Sequence, residues 1–290
     1  MFPKTIQEAT GKTFYYETDI FSVNPLHLVK AAEREENYQI GMHSHQFYEI
    51  NIVTKGSGCH YIEQMSVPAK KGDVFVIPPD IRHGYYCGYQ LEVFHVMIKK
   101  EFFRRYREEL EGCPGYQTLF EIEPFLRQKS KEQFFLHLDY EELFQIMSGL
   151  ERVMEKEEQE LYMPQVIVAL DIICTLCSYM HQQYYGNTEG KGEGHELIRV
   201  IEYIQTHLDQ KLMVAELANM AAMSTSTFTR TFKKILGLSP MEYVRNSRIT
   251  KAVMLIEEGE FSKSEIAQIC GFYDAPHMDK YLKNISLKLL

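Results

Sequence analysis

The chain has 290 residues, 45% of them hydrophobic, which is enough for two compact domains with connecting helices. Its opening MFPKTIQEATGKTFYYETD lacks the charged start and apolar run of a secretory signal, and its six cysteines follow no disulfide framework, so a cytoplasmic protein with reduced thiols is expected. The net charge of −9 argues against a nucleic-acid partner only until the chain is divided: residues 1–195 carry 19 Lys+Arg and 29 Asp+Glu, a net of −10, and residues 196–290 carry 12 and 11, a net of +1.

From about Asn37 to Lys99 the pattern is strand and turn, with the runs YEINIV, DVFVIP and EVFHVMI separated by KGSG, KKGD and PPD. Such spacing predicts a small antiparallel barrel or sandwich. The same region carries His43-x-His45-x-x-x-Glu49-x6-Gly56, then Gly72-x5-Pro78-x-Asp80-x-x-His83. Positions 43, 45 and 49 share parity, so on one strand their side chains point to one face, and His83 from a neighbouring strand completes a site. These residues resemble both sequence motifs of the cupin barrel, with Asp80 where the second motif usually has glycine. In cupin enzymes the matching positions hold a divalent metal. Three readings stay open for His43, His45, Glu49 and His83: ligands to a metal such as Fe, Mn, Ni or Zn, a metal-free pocket for a small effector, or structural hydrogen bonds at the barrel mouth. Tyr48, Tyr61, Tyr85 and Tyr86 are candidates to stack on a sugar or aromatic effector, and Tyr48 is counted with the effector site; tyrosine is equally at home in strands.

From Glu101 to Tyr185 the pattern turns helical. Leu143, Ile146, Met147, Leu150, Val153 and Met154 form one apolar stripe, read as packing on the barrel, as a dimer seam, or as both at once. The apolar stretch 161–180 contains Pro164, Gln165 and Asp171 and is read as a buried helix, with no membrane span. Cys174-x-x-Cys177 lies inside that pattern without a second pair, which favours core packing over metal binding. Residues 186–194, with four glycines, read as a flexible linker.

Beyond it a helical unit occurs twice, about fifty residues apart: Glu216-Leu217-Ala218 with Phe232-Lys233, and Glu265-Ile266-Ala267 with Leu282-Lys283. In the first copy Ser224 caps a helix whose core stripe is Phe228, Phe232, Ile235 and Leu236. Its other face presents Ser226, Thr229, Arg230 and Lys233 at i, i+3, i+4 and i+7, a cationic face suited to a major groove. In the second copy Asp274 caps a helix with Pro276 early in it, and His277, Lys280 and Lys283 face outward. Between the copies Pro240 starts a spacer helix running to Glu258. The pattern Phe228-x-Arg230-x-Phe232-Lys233-x-x-x-Gly237-x-Ser239-Pro240-x-x-Tyr243, followed by Arg248, Ala252, Leu255, Ile266, Ala267, Gly271 and Phe272, resembles the AraC/XylS family of bacterial regulators. The resemblance implies two recognition helices entering successive major grooves, the first using Ser226, Thr229 and Arg230 and the second Pro276, His277, Asp279 and Lys280. Ala222 stands where the first turn usually has glycine, a position expected to need φ > 0. The chain stops at Leu290, where the family continues through another Gly-x-x-Pro-x-x-Tyr-Arg segment, so a weakened second reading head is expected.

The sequence therefore predicts an α+β chain: a cupin-like antiparallel β-barrel at 1–100 that binds an effector, a helical connector and dimerisation region at 101–185, a linker at 186–194, and an all-α double helix-turn-helix domain at 195–290. The expected protein is not an enzyme but a homodimeric regulator of double-stranded DNA, shifting between states when a small effector, a sugar among the classes considered, binds. The rival reading is a metal-dependent cupin enzyme fused to a DNA-binding module.

Overall fold

The computed structural model describes residues 14–21, 26–32, 38–128, 135–158, 162–186 and 193–286. The chain divides into two compact units, Met1–Thr188 and Glu189–Leu290.

The first unit is organised by two long antiparallel strands, β4 (Tyr48–Ile62) and β7 (His83–Ile98), paired from Tyr48↔Ile98 to Ile62↔His83. Strand β6 (Asp73–Ile77) and strand β5 (Met65–Lys70) take the other edge of β4, while β2 (Leu26–Ala32) and β3 (Tyr38–His45) take the other edge of β7. Short strands β1 (Phe14–Tyr15) and β8 (Leu136–His137) finish the path, β1 pairing parallel with β3. Among the described residues the eight-stranded sheet runs β1-β3-β7-β4-β6-β8 and does not close on itself, so the expected antiparallel barrel is instead an open sheet. The KGSG segment, expected to be a turn, lies inside β4. Register shifts between Val53 and Cys59 absorb it as bulges, which bend the strand rather than end it.

Alternation along β4 and β7 gives the sheet two chemically different faces. Ile50, Ile52, Val96 and Ile98 face helices α5 (Tyr140–Glu158) and α6 (Tyr162–His181), meeting Leu150, Val153, Ala169, Ile172 and Leu176. The inner face holds Val53, Val67, Phe75, Ile77, Tyr85, Leu91 and Val93 in one core cluster. Between β7 and β8 come the short helices α2 (Lys100–Arg105), α3 (Arg107–Glu111) and, after a π-helical turn at Thr118–Ile122, α4 (Glu123–Arg127); α1 (Glu17–Ile20) precedes β2.

Leu143, Ile146, Leu150 and Val153 of α5 are all buried within this one chain. These four residues of the stripe pack on the sheet and on α6, while Met147 and Met154 are half-buried; Gly149 lies so close to α6 that a Cβ would stand 3.0 Å from Ile172. Helix α6 is long and apolar enough to cross a membrane by length and composition, with mean hydropathy 1.6. Here Val166, Ile172, Ile173, Leu176, Cys177 and Met180 are buried by protein. Of the glycine-rich segment 186–194, residues 187–192 lie outside the described residues. Its ends are helical, Gly186 closing a π-helical turn and Glu193 opening the next helix.

The second unit is all helical: α7 (Glu193–Thr206), α8 (Val214–Met220), α9 (Thr225–Leu236), α10 (Pro240–Glu258), α11 (Lys263–Ile269) and α12 (Ala275–Ser286). Its boundaries follow local chemistry. The Ser224 side chain accepts from Thr227 N, and Ser239–Glu242 and Ser262–Glu265 form capping boxes. Gly237 and Gly259 end α9 and α10 in the left-handed conformation. Phe228, Phe232 and Tyr243 join the first helix pair to α10 through edge-on rings 5.4 and 5.7 Å apart. Ile249, Ala252 and Leu255 of α10 share a core with Ile266, Ala267, Phe272 and Met278. In the second stripe Met278 is fully buried while Tyr281 and Leu282 are partly covered; the side chain of Ile285 lies outside the described residues.

Arg248 ties the unit together, its Nε donating to Leu208 O at 2.9 Å and its Nη2 to Gln210 O at 2.6 Å. The second helix-turn-helix turn passes beside this tie at Gly271, which has φ +71°. A Cβ there would stand 2.0 Å from Leu208 O and 2.9 Å from the Arg248 guanidinium. Gly271→Ala combines left-handed strain with that overlap and is expected to cost at least about 2 kcal/mol of stability. Urea unfolding of the variant measures this, and an unchanged midpoint contradicts it.

Candidate effector site and nucleic-acid interface

Glu49 lies at the centre of the inner face, 4% exposed and surrounded by imidazoles. Its Oε1 lies 2.7 Å from His95 Nδ1, and its Oε2 lies 2.8 Å from His83 Nε2 and 3.3 Å from His45 Nε2. His43 packs on His83 with ring centroids 4.3 Å apart, and His60 lies 6.0 Å from His83. His43 and His45 end β3 and Glu49 begins β4, so the three converge across a tight turn rather than along one strand. His83 faces His43 across the β3–β7 pairing.

The backbone sets the tautomers. Nδ1 of His43, His45 and His83 lies 2.9, 2.7 and 3.3 Å from the carbonyls of Gly41, Phe47 and Ile81. A proton held there leaves each Nε2 as a lone pair. Nε2 of His45 and His83 and Oε2 of Glu49 approach one another without the alignment a hydrogen bond needs. Ligand atoms of His43, Glu49 and His83 fall within 4.8 Å of one another. The 2.8 and 3.3 Å separations at Glu49 Oε2 suit the edges of a coordination shell with bonds of about 2.1 Å. The donor set of His43, Glu49 and His83 could hold a divalent ion, with His45 Nε2 3.3 Å from the shared carboxylate oxygen. His95, on the other carboxylate oxygen, would orient the ligand.

Asp80 adopts φ 66°, the left-handed conformation that glycine ordinarily fills at this motif position, and its N–H donates to His45 O at 2.8 Å. Tyr48 is not part of the cluster. It has the parity of Ile50, and its ring packs on Phe103 of α2, 4.4 Å away. Tyr61 and Tyr86 form an edge-on pair at 5.0 Å, and only Tyr85 enters the interior, stacked on His60 at 4.6 Å.

Beyond Tyr85 the polar interior continues with residues that the motif did not indicate. Asn51, His60, Tyr85, Glu123 and Arg127 are all at most 1% exposed. Arg127 Nε lies 3.2 Å from Glu123 Oε1, its Nη2 donates to Val76 O, and its guanidinium sits 5.2 Å over the Phe75 ring. Among the described residues both nitrogens of His60 lack a hydrogen-bond partner, Arg127 Nε and the Glu123 carboxylate meet without the alignment of a hydrogen bond, and the Tyr85 hydroxyl has Asn51 as its neighbour. Asn51 and His95 share inner-face parity with Glu49 across β4 and β7, and that signal is visible in YEINIV and EVFHVMI. Arg127 comes from α4, in a region read only as connector, and carries no such signal.

Burial acts on every one of these groups. It drives the His43 imidazolium down to about 3, with His83 adding repulsion and Glu49 opposing. His60 is held well below its ordinary value by burial and then by Arg127, and His83 is lowered by burial against the pull of Glu49. For Glu49 burial pushes upward, but His95, His45 and His83 outweigh it and hold the carboxylate well below the usual range. Glu123 is raised to about 7 by burial, with Arg127 opposing.

In the second unit Ser226, Arg230 and Lys233 are exposed along one face of α9, with Thr229 half-buried and donating its hydroxyl to Thr225 O at 2.8 Å. The unpredicted Lys234 is exposed beside them. On α12, Pro276, His277 and Lys280 are exposed. Asp279 instead turns back to α11, where Lys263 Nζ donates to it at 3.0 and 3.1 Å. Ala222 holds φ 51°, the conformation expected at the first turn.

Histidines with depressed values are neutral in the folded chain and take up protons on unfolding below about pH 6.5. Their contribution to stability is complete above that point and falls as the pH drops, for His43 down to about 3. The unfolding midpoint in urea is expected to decline between pH 7 and 5, and His60→Phe to flatten that decline. A slope identical in the variant contradicts the assignment.

A family model described as AraC-like ligand binding domain matches residues 25–163, and one described as helix-turn-helix domain matches residues 217–286. The probable transcriptional regulator LumQ of Photobacterium leiognathi is 25% identical over 252 residues, covering 86% of this chain and 88% of LumQ. The HTH-type transcriptional activator RhaR of Cronobacter sakazakii is 24% identical over 258 residues, covering 88% and 87%. Among solved structures, apo ToxT from Vibrio cholerae overlays with TM-score 0.40 and 15% identity, covering 90% of this chain and 93% of that one. With a sheet-rich ligand-binding unit and a double helix-turn-helix unit in one polypeptide, the chain belongs to the AraC/XylS family of transcription regulators, which bind DNA in response to small-molecule effectors.

Proposed function

We propose that the Glu49 cluster and the polar interior behind it form the effector site, and that α9 and α12 are the DNA-reading helices. One observation supports the sensor reading: a continuous run of buried polar side chains, several of their atoms incompletely hydrogen-bonded, extends from Glu49 to Arg127. Buried polar groups left unpaired cost about 1–3 kcal/mol each, so a polar occupant that satisfies them is bound with a large gain. Donors on Asn51, Tyr85 and Arg127 alternate with acceptors on Glu123 and His60, which suits a small polyhydroxylated molecule such as a sugar. The sensor binds this molecule without converting it. A divalent ion held by His43, His45, Glu49 and His83 is the second reading, favoured by the lone pairs that converge there. It is also where the alternative of a metal-dependent enzyme would reside, distinguished by turnover of a substrate.

We place the protein in the cytoplasm as a homodimer. Val166, Ile172, Ile173, Leu176, Cys177 and Met180 of α6 are buried within the chain, which supports a core helix over a membrane span. Exposed Tyr140 and Phe144 on α5 and Met163 and Ile167 on α6 support the dimer contact, in place of the buried stripe. Residues 1–100, 101–185 and 195–290 then serve as sensor, connector and reader.

For the reader, Arg230→Ala is expected to cost about 1–3 kcal/mol and relax preference at one base pair. Lys233→Ala is expected to weaken all sequences alike and lower the salt slope by about 1. Gel-shift titrations on specific and scrambled DNA decide this, and equal affinity of Arg230→Ala and wild type overturns it. For the sensor, calorimetric titration with a panel of sugars is expected to find a binder lost in Glu49→Gln and in Arg127→Met. Elemental analysis of untagged protein runs in parallel. Less than about a tenth of an equivalent of every transition metal removes the metal reading, and a binder retained by both variants removes the effector reading.

A further inference from the structure

We propose that Cys113 and Cys174 are a redox-sensitive pair that closes to an intramolecular disulfide when the protein meets a peroxide. Their Sγ atoms lie 2.9 Å apart, and both side chains are half-buried. Reaching the ~2.05 Å of a disulfide takes a movement of roughly 0.9 Å. Sixty-one positions separate the two in sequence, so the approach is made by the fold and not by a local motif.

The loop that delivers Cys113 is fixed on both sides. Cys113 N donates to Leu110 O at 3.0 Å, and its carbonyl accepts from Tyr116 N at 3.1 Å. Gly115 lets this loop lie flush on α6: it holds φ +86°, and a Cβ there would stand 2.1 Å from Cys177 O. Burial and the Cys113 sulfur push the Cys174 thiol up to about 12, so Cys174 is a poor first nucleophile. Cys177, one turn further along α6, is fully buried and its thiol is raised by burial, which closes it to an oxidant from solvent.

These environments set the order of steps. The Cys113 thiolate attacks one oxygen of hydrogen peroxide, the O–O bond breaks, hydroxide leaves and a sulfenic acid forms on Cys113. The Cys174 sulfur then attacks that sulfur and loses its proton, and the sulfenic oxygen departs as water. The two thiols lose two electrons and the peroxide gains them. The bond would fasten the loop that leads into Glu123 and Arg127 directly onto α6. The proposal is independent of the effector reading, since it requires only the two sulfurs.

The test uses the full chain, reduced and then treated with a small molar excess of hydrogen peroxide, alkylated and digested for mass spectrometry. Wild type and Cys177→Ser are expected to give a Cys113–Cys174 linked peptide and a whole-chain mass about 2 Da lower, both reversed by dithiothreitol. Cys113→Ser and Cys174→Ser are expected to give no linked peptide while keeping the wild-type far-ultraviolet circular dichroism. Recovery of Cys113 and Cys174 both alkylated from treated wild type overturns the proposal. Linkage of Cys113 to Cys177 or to a second chain, or sulfinic acid on Cys113 with Cys174 alkylated, does so equally.

Discussion

A carboxylate in the core of a sheet is tolerable only if a cation or hydrogen-bond donor compensates its desolvation, and for Glu49 the aligned partner is His95, whose Nδ1 lies 2.7 Å from Oε1. That requirement dictates much of the sensor unit. His95 must stand beside Glu49 on neighbouring β7, which fixes the register Asn51↔His95 and with it the inward set of both long strands. His45 must arrive from β3 through a turn short enough to keep its ring against Glu49, and Asp80 in a left-handed conformation donates to His45 O to hold that turn. The other faces of the same strands are then obliged to be apolar, and Ile50, Ile52, Val96 and Ile98 supply the surface on which α5 and α6 rest. A one-residue slip would exchange the two sets, placing isoleucines at the site and histidines under the helices.

The second buried ion pair, Glu123–Arg127, connects that interior to the helices in a different way. Arg127 belongs to α4, yet its guanidinium lies over Phe75 and bonds to the Val76 carbonyl of β6. The charges are nearly without solvent and their mutual geometry is imperfect, since Arg127 Nε and both Glu123 oxygens lack aligned hydrogen bonds. Such a pair is weak evidence for stability. It is better suited to a site that reorganises when a ligand supplies the missing bonds, and its position on α4 means that reorganisation is felt by a helix outside the sheet.

Which of these features could be read from the sequence follows from their range. His43, His45, Glu49 and His83 were legible because short loops and strand alternation bring them together, and the helix caps Ser224 and Asp274 because capping is a contact between near neighbours. Tyr48 was misplaced by the same alternation, its neighbour Glu49 taking the inner face. The stripe from Leu143 to Met154 showed that α5 is one-sided without showing what covers that side, because periodicity names a face and not its partner. Arg127 and the Cys113–Cys174 approach left no trace in local pattern, since they depend on contacts across 51 and 61 positions.

In the DNA-reading unit the same distinction between local and long-range contacts separates what reads from what positions. Ser226, Arg230 and Lys233 owe their outward direction to helix geometry alone, because Phe228, Thr231, Phe232 and Ile235 take the buried side. The spacing of α9 from α12 has another origin. It rests on α10, which packs on the first pair through Tyr243 and on the second through Ile249, Ala252 and Leu255. Arg248 locks that helix to the carbonyls of Leu208 and Gln210, and Gly271 brings the second turn against the same point. A rigid spacer is what two recognition helices need to meet successive grooves about 34 Å apart, since flexibility between them would be paid as entropy at binding. Arg248 and Gly271 therefore help set the positions of both helices within this unit, although neither lies on the exposed face that carries Arg230 and Lys233.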